Sequence, residues 1–347
     1  QGFIPTSTMK PKRLLYIIGI VLVAQLQACF VNDDLSLENN AHTNFDALWN
    51  IIDQHYCFFE YKGVDWDSVY NEYAPRISDN MGSQGFFNLC GEMLATLQDG
   101  HVNLSSAFGS TYYWKWFQDY PVNYDERIIH QHYLNFDFYQ VNGITYKKLQ
   151  DNIGYIYYSS FSSNISHNSL DHILAHLATC DGLIIDIRNN GGGSLSNVEV
   201  IASHFITERI LAGYICHKTG TGHNDFSEPY AYYYEPVTDH IIYGKPVAVL
   251  TNRHTFSAAN NFVQVMKQLP QATIIGDRTG GGSGLPFTYN LLNGWNIRLS
   301  SSPILDANGN DTEWGIDPDI KVDMDTTAAL NGHDTILDKA IEVLSGR

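Results

Sequence analysis

The sequence predicts an α/β fold: a core of mixed or parallel sheet and helices, preceded by a small all-helical N-terminal subdomain. Three observations carry that expectation. Apolar residues recur at helical spacing through Phe45, Leu48, Trp49, Ile52 and Tyr56, and again through Phe86, Phe87, Cys90, Met93, Leu94 and Leu97. From residue 153 onward, short apolar runs such as GLIIDIR (182–188) and PVAVLTN (246–252) alternate with helical patterns, as buried parallel strands and their crossover helices do. The composition agrees. The chain has 347 residues, 44% of them hydrophobic and 16% charged, enough to bury a full core without disulfide or metal and too apolar for wholesale disorder or a coiled coil.

In order along the chain, residues 1–28 read as a signal peptide of lipoprotein type, with extra residues before Met9. Lys10, Lys12 and Arg13 precede an apolar stretch at 14–26 that is too short for a comfortable membrane span. Leu26-Gln27-Ala28-Cys29 resembles a bacterial lipobox, which makes Cys29 the lipidated first residue of an exported, membrane-anchored lipoprotein of the cell envelope, periplasmic or on the surface. An uncleaved anchor helix is the alternative. Residues 29–40 form a polar tether, and 41–104 the helical subdomain, with a further helix at 66–73. Residues 105–150 are an aromatic-rich connecting segment of strands and loops. Residues 151–347 are the α/β core, with strands at 154–161, 182–188, 246–252 and 272–277. Its helices fall at 170–180, 198–205 and 258–269, and a closing helix at 335–344.

Charge and cysteine usage exclude several classes. With 20 Lys+Arg against 37 Asp+Glu the net charge is −17, and no cation cluster lies outside the N-terminus, so nucleic acid is not an expected partner. Membrane contact is expected only through lipidated Cys29. Cys57, Cys90, Cys180 and Cys216 show no C-x-x-C pair or zinc spacing, so no metal is expected. A phosphate loop is disfavoured because no Gly-Lys-Ser/Thr follows the glycines at 191–193.

Chemistry in an open α/β sheet gathers where strands end and helices begin, and two such junctions stand out. The first is Asp186-Ile187-Arg188-Asn189-Asn190-Gly191-Gly192-Gly193, whose glycines can turn backbone N–H groups into a cavity. The second is Thr255-Phe256-Ser257-Ala258-Ala259-Asn260, which sets a serine at the mouth of a buried strand and the start of a helix. Taken singly, each has a plain alternative: a flexible loop, and an ordinary serine N-cap.

Together with Asp99-Gly100-His101, the segments LQDGH, DIRNNGGG, TFSAAN, IIGDRTGGG and EWGIDPDI resemble, in this order, the C-terminal processing (tail-specific) serine peptidases. The resemblance is to the branch that includes the tricorn core and the interphotoreceptor retinoid-binding modules, and it covers most of residues 41–344. It implies a crotonase-like core, no cofactor, and hydrolysis of peptide bonds near polypeptide C-termini. Ser257 matches the nucleophile, and the amides of Ala258 and Gly192 match the oxyanion hole. Many members use a lysine where this chain has Gly282, and no lysine lies between Lys267 and Lys321. The tricorn-like branch instead implies His101 as general base, oriented by Glu313. Asp99, Arg188 and Asn190 are expected to support the loops. His254 is the rival histidine; Asp311, Asp317 and Asp319 rival Glu313. Many members also carry a PDZ module, and residues 105–150 are too short for a complete one. The aromatic segment there reads either as part of the cleft or a lid, or as plain packing. The expected partner is a peptide or protein substrate. Two rivals share the fold: a non-catalytic binder of hydrophobic ligands or peptides, and an esterase or amidase.

Overall fold

The structure is a computed structural model that describes residues 39–78 and 80–346. The expectations for the signal peptide, for Cys29 and for nearly all of the tether therefore lie outside the described residues.

The chain enters through four helices: α1 (Ala41–His55), α2 (Phe59–Lys62), α3 (Trp66–Tyr73) and α4 (Ser83–Ala95). The Asn40 side chain accepts from Thr43 N and caps α1. Helix α1 buries Phe45, Leu48 and Ile52 against Phe86, Cys90 and Met93 of α4. Shorter helices follow, α5 (Lys115–Gln118) and α6 (Glu126–Ile128). The remaining helices are α7 (His167–His176), α8 (Leu195–Ala202), α9 (Ala258–Met266), α10 (Thr326–Leu330) and α11 (Thr335–Ser345).

The strands build two sheets. The seven-stranded sheet runs β13 (Ile320–Lys321), β10 (Ala272–Gly276), β9 (Val247–Thr251), β6 (Gly182–Asp186), β5 (Ile153–Tyr158), β4 (Ile144–Lys148), β3 (Tyr139–Val141). Its pairs from β13 to β5 are parallel and the two at the β3 end antiparallel, so it is the mixed α/β sheet expected. The continuous apolar runs have a plain cause. In β6 and β9, Leu183, Ile185, Val247 and Val249 pack into one core, while Ile184, Ala248 and Leu250 pack into another on the opposite face.

The second sheet is antiparallel: β2 (Gly109–Ser110), β1 (Asn103–Ser106), β12 (Asn296–Leu305), β7 (Ile210–Ile215) and β8 (Tyr230–Tyr234), with β11 (Gly284–Asn290) also paired to β12. The helical N-terminal part is as expected, and its boundary is corrected here. Residues 41–104 are not all helical, because Asn103 and Leu104 pair with Arg298 and Ile297 of β12. The helical part also shares a core with Leu291, Trp295, Ile297 and Leu299, so residues from Asn39 onward form one compact unit. Segment 101–106 is thereby the bridge that carries residues of the helical part to the core.

Candidate active site

The parallel strands β6 and β9 lie side by side, so the turns that leave their C-terminal ends meet. Phe256 N donates to Asn190 O at 3.0 Å and ties the serine turn to the glycine turn. Ser257 N donates to Gly281 O at 2.8 Å and ties it to the loop after β10. Between these ties Ser257 adopts φ 58° and ψ −121°, a conformation costly for a residue with a side chain and one that surrounding contacts must enforce. The N-cap alternative fails on geometry. Ser257 precedes α9, yet its side chain makes no capping hydrogen bond. Its Oγ lies 3.0 Å from His101 Nε2 instead.

His101 is held from three directions. Its backbone N–H donates to Asp99 Oδ1 at 2.7 Å, its ring packs against Phe256, and the following residues enter β1. The imidazole is buried, and burial pulls its pKa down to about 4. Asp99 opposes that shift, while Arg298 and Lys62 add to it and the Gly284 backbone opposes it. Nδ1 is buried without a hydrogen bond of good geometry. The rival His254 stacks on Phe117 at 4.3 Å and lies tilted to the Trp116 ring at 5.5 Å, so it is held in an aromatic cluster.

Glu313 does not bond to His101. Its Oε1 accepts from Lys62 Nζ at 2.7 Å, and its Oε2 accepts from Ser283 N at 2.9 Å. This corrects the expectation that Glu313 fixes the imidazole directly. The reason is Lys62, which sequence reading passed over and whose side chain is 1% exposed. Its ammonium also donates to Gln98 O at 3.2 Å and lies 3.6 Å from Asp99 Oδ2. Asp99 in turn accepts from Tyr56 Oη at 3.0 Å. One cation thus clips the histidine loop to the Glu313 loop. Burial, with Asp99 and Asp311 nearby, pushes the Glu313 carboxyl up to about 8 against the pull of Lys62. Asp99 is held below the usual carboxylate range: burial opposes this, and Lys62, His101 and Tyr56 outweigh it. No local pattern marks Lys62; it sits in the last turn of α2, where a surface lysine is the ordinary reading.

The glycine turn needs a further correction. Gly192 N donates to Asn190 Oδ1 at 2.9 Å, so that amide is already committed. Gly193, whose φ is 143° and which lines the same cavity as Ser257 and Ala258, has an amide without an intramolecular acceptor among the described residues, as does Ala258. Asn190 Nδ2 also donates to Tyr158 O at 2.7 Å and pins the turn. Arg188 anchors it from below. Its guanidinium contacts Asp186 at 2.9 and 2.6 Å and Asp334 at 3.0 and 2.8 Å, all within the core. Asp334 was not singled out in the sequence; it also caps α11.

At Gly282, the position that holds a lysine in many members of the resembled family, φ is 78° and a side chain would run into the Phe256 ring. Trp116 stacks on Phe256 at 4.2 Å and presses on Gly100 and Gly280, so the aromatic segment covers the back of the site. Among the described residues no group of three or more His, Cys, Asp or Glu side chains could hold a metal ion. The arrangement offers a strained serine hydroxyl, a neutral imidazole as proton acceptor and two amides for a developing oxyanion.

Comparison with known proteins accords with this geometry. Residues 152–322 match peptidase family S41, and residues 37–95 match the tricorn protease C1 domain. A crystal structure from Parabacteroides merdae, provisionally assigned as a peptidase, is 49% identical, with TM-score 0.84, over 88% of this chain and 96% of that one. The carboxy-terminal processing protease CtpB of Bacillus subtilis is 29% identical over 51% of this chain and 35% of its own length. The tricorn protease of Thermoplasma acidophilum is 27% identical over 57% of this chain and 17% of its own. The chain thus spans about a third or less of the length of these two curated relatives.

Proposed function

The chain belongs to peptidase family S41, and from that premise we propose that it is a serine peptidase that cleaves polypeptides near their C-termini. In this reading Ser257 attacks the scissile carbonyl. His101 takes its proton through Nε2 and returns it to the leaving amine. The Gly193 and Ala258 amides hold the oxyanion. Neutral imidazole is the form that can accept a proton, and a buried His101 stays neutral at pH 7. Glu313 is a positioning residue, acting through Lys62 and the Asp99 loop.

The observation that carries the reading is the 3.0 Å contact between a histidine from the helical part and a strained serine hydroxyl that opens a core helix. It favours an enzyme over a non-catalytic binding module, because a binder has no need of a strained serine paired with a base. The test sets a panel of peptides against matched acyl esters, with wild type and Ser257→Ala. Peptide turnover lost in Ser257→Ala supports the peptidase; turnover of esters alone would assign an esterase instead.

We also propose export and anchoring through Cys29, on the strength of the residue 9–29 pattern. Among the described residues no helix is long and apolar enough to cross a membrane. Palmitate incorporation lost in Cys29→Ala is the expected result.

A further inference from the structure

We propose that Arg298 makes the cleft beside Ser257 an anionic subsite: the substrate presents a carboxylate there, and Arg298 receives it. This rests on the peptidase reading for what it contributes to catalysis, though not for the binding it predicts.

Ser257 opens onto a small cavity of about 90 Å³, lined by Leu195, Leu285, Pro286 and Ile304 together with the amides Asn261 and Gln264. Arg298 is the only charged side chain among its described lining residues. It comes from β12, in register with Asn103 of β1 on one side and Thr288 of β11 on the other. A guanidinium carries five donors in a planar fork and is normally paired with carboxylate when partly buried. Arg188 in the same chain shows such pairing, with two carboxylates. Arg298 has one weak contact, Nη1 to Asn103 Oδ1 at 3.4 Å, and no carboxylate within ion-pair distance among the described residues. Half-buried and with no carboxylate partner among the described residues, it turns toward the cavity a donor fork shaped to hold an anion. Its charge also reaches the reacting groups, since it disfavours protonation of His101.

The remainder of the chain sharpens the point. A net charge of −17 repels an anionic substrate in general, so a carboxylate is welcome only where a local cation faces it. Against the assignment stands Asn261 Oδ1, an acceptor that is buried without a partner among the same lining residues and suits an N–H instead. A carboxamide is therefore the right control for a carboxylate. The anion could come from a chain-terminal α-carboxylate or from a Glu or Asp side chain.

The experiment measures binding to Ser257→Ala, which cannot turn the probes over. Probes are N-acetyl-tri-alanine with a free carboxylate and its C-terminal amide, then N-acetyl-Ala-Ala-Glu-Ala-amide and its Gln twin. In at least one pair the carboxylate should bind about tenfold tighter than the carboxamide, the size of one charge-assisted contact, and added salt should weaken it. The free-terminus pair responding alone assigns an α-carboxylate; the Glu/Gln pair responding assigns a side chain. Ser257→Ala/Arg298→Gln should bind both members alike, and Arg298→Lys should retain part of the preference. Equal binding within both pairs in Ser257→Ala overturns the proposal without recourse to any Arg298 variant, as does a preference that survives Arg298→Gln. Peptide turnover by the wild type is a separate readout. Preference without turnover would sink the peptidase reading and leave the anion subsite standing; turnover without preference would do the reverse.

Discussion

Two buried cations in this molecule each sit between two carboxylates, and they do different work. Arg188 spans Asp186 and Asp334 beneath the glycine turn, with all four guanidinium–carboxylate contacts at 3.0 Å or less. Lys62 spans Asp99 and Glu313 beneath the histidine loop, with one contact at 2.7 Å and the other at 3.6 Å. The planar fork saturates its partners and acts as a staple from β6 to the start of α11. The point-like ammonium reaches Asp99 only at 3.6 Å, and the two act on the adjacent His101 in opposite senses, Asp99 favouring its protonation and Lys62 disfavouring it. Rigidity is supplied at one site, tuning at the other.

Ser257→Ala should lower kcat/KM by at least about 10⁴-fold and His101→Ala by about 10²–10⁴-fold, with folding intact by circular dichroism. A His101→Ala enzyme that keeps near-wild-type turnover would remove the reason for the Lys62 cluster to matter.

Arg188→Met strands two buried carboxylates and should cost about 3–5 kcal/mol in urea unfolding, while the pH profile of the remaining folded enzyme keeps its shape. Lys62→Met should cost less, about 1–3 kcal/mol, because Glu313 is already pushed up to about 8 and can stay protonated near neutral pH. Its signature is kinetic. Lys62 disfavours His101 protonation, so removing it raises that pKa and moves the acid limb of kcat/KM upward from about 4. An unmoved limb would reduce Lys62 to a second staple.

Glu313→Gln keeps an acceptor for Lys62 and should cost about tenfold or less in kcat/KM, far below the roughly 10⁴-fold loss expected where a carboxylate fixes the histidine tautomer directly. A loss matching His101→Ala would restore the direct role.

A further effect is on the pH dependence of stability. His101 protonates at its ordinary 6.5 in the unfolded chain and at about 4 when folded, so the unfolded state takes up the proton first. Its contribution is complete above pH 6.5 and is lost as pH falls through 4. Unfolding midpoints from pH 7 to 4 should therefore fall less steeply in His101→Ala than in wild type.

The parallel core was legible because β6 and β9 are covered on both faces, which forces unbroken apolar runs such as Leu183–Ile184–Ile185. The antiparallel sheet was not. β12 reads NIRLSSSPIL, polar through its middle, and apart from its hairpin neighbour β11 its partners β1 and β7 come from far earlier in the chain. Ser257 was legible from its place where a buried strand meets a helix, and His101 only through the resemblance of the LQDGH segment. Lys62 was not, since its role depends on Glu313, 251 residues further along the chain, and on the neighbouring Trp314 ring, which no local pattern links to it. Gly192 was preferred to Gly193 for a related reason. Three adjacent glycines look alike in sequence, and only the Asn190 side chain decides which amide is taken.

The most direct test of the account is the rate at which a fluorophosphonate labels Ser257 as a function of pH. If a desolvated His101 is the base, the rate stays level below neutrality and drops through an inflection near 4, and labelling is largely lost in His101→Ala. An inflection near 6.5, or labelling of His101→Ala at the wild-type rate, would contradict it.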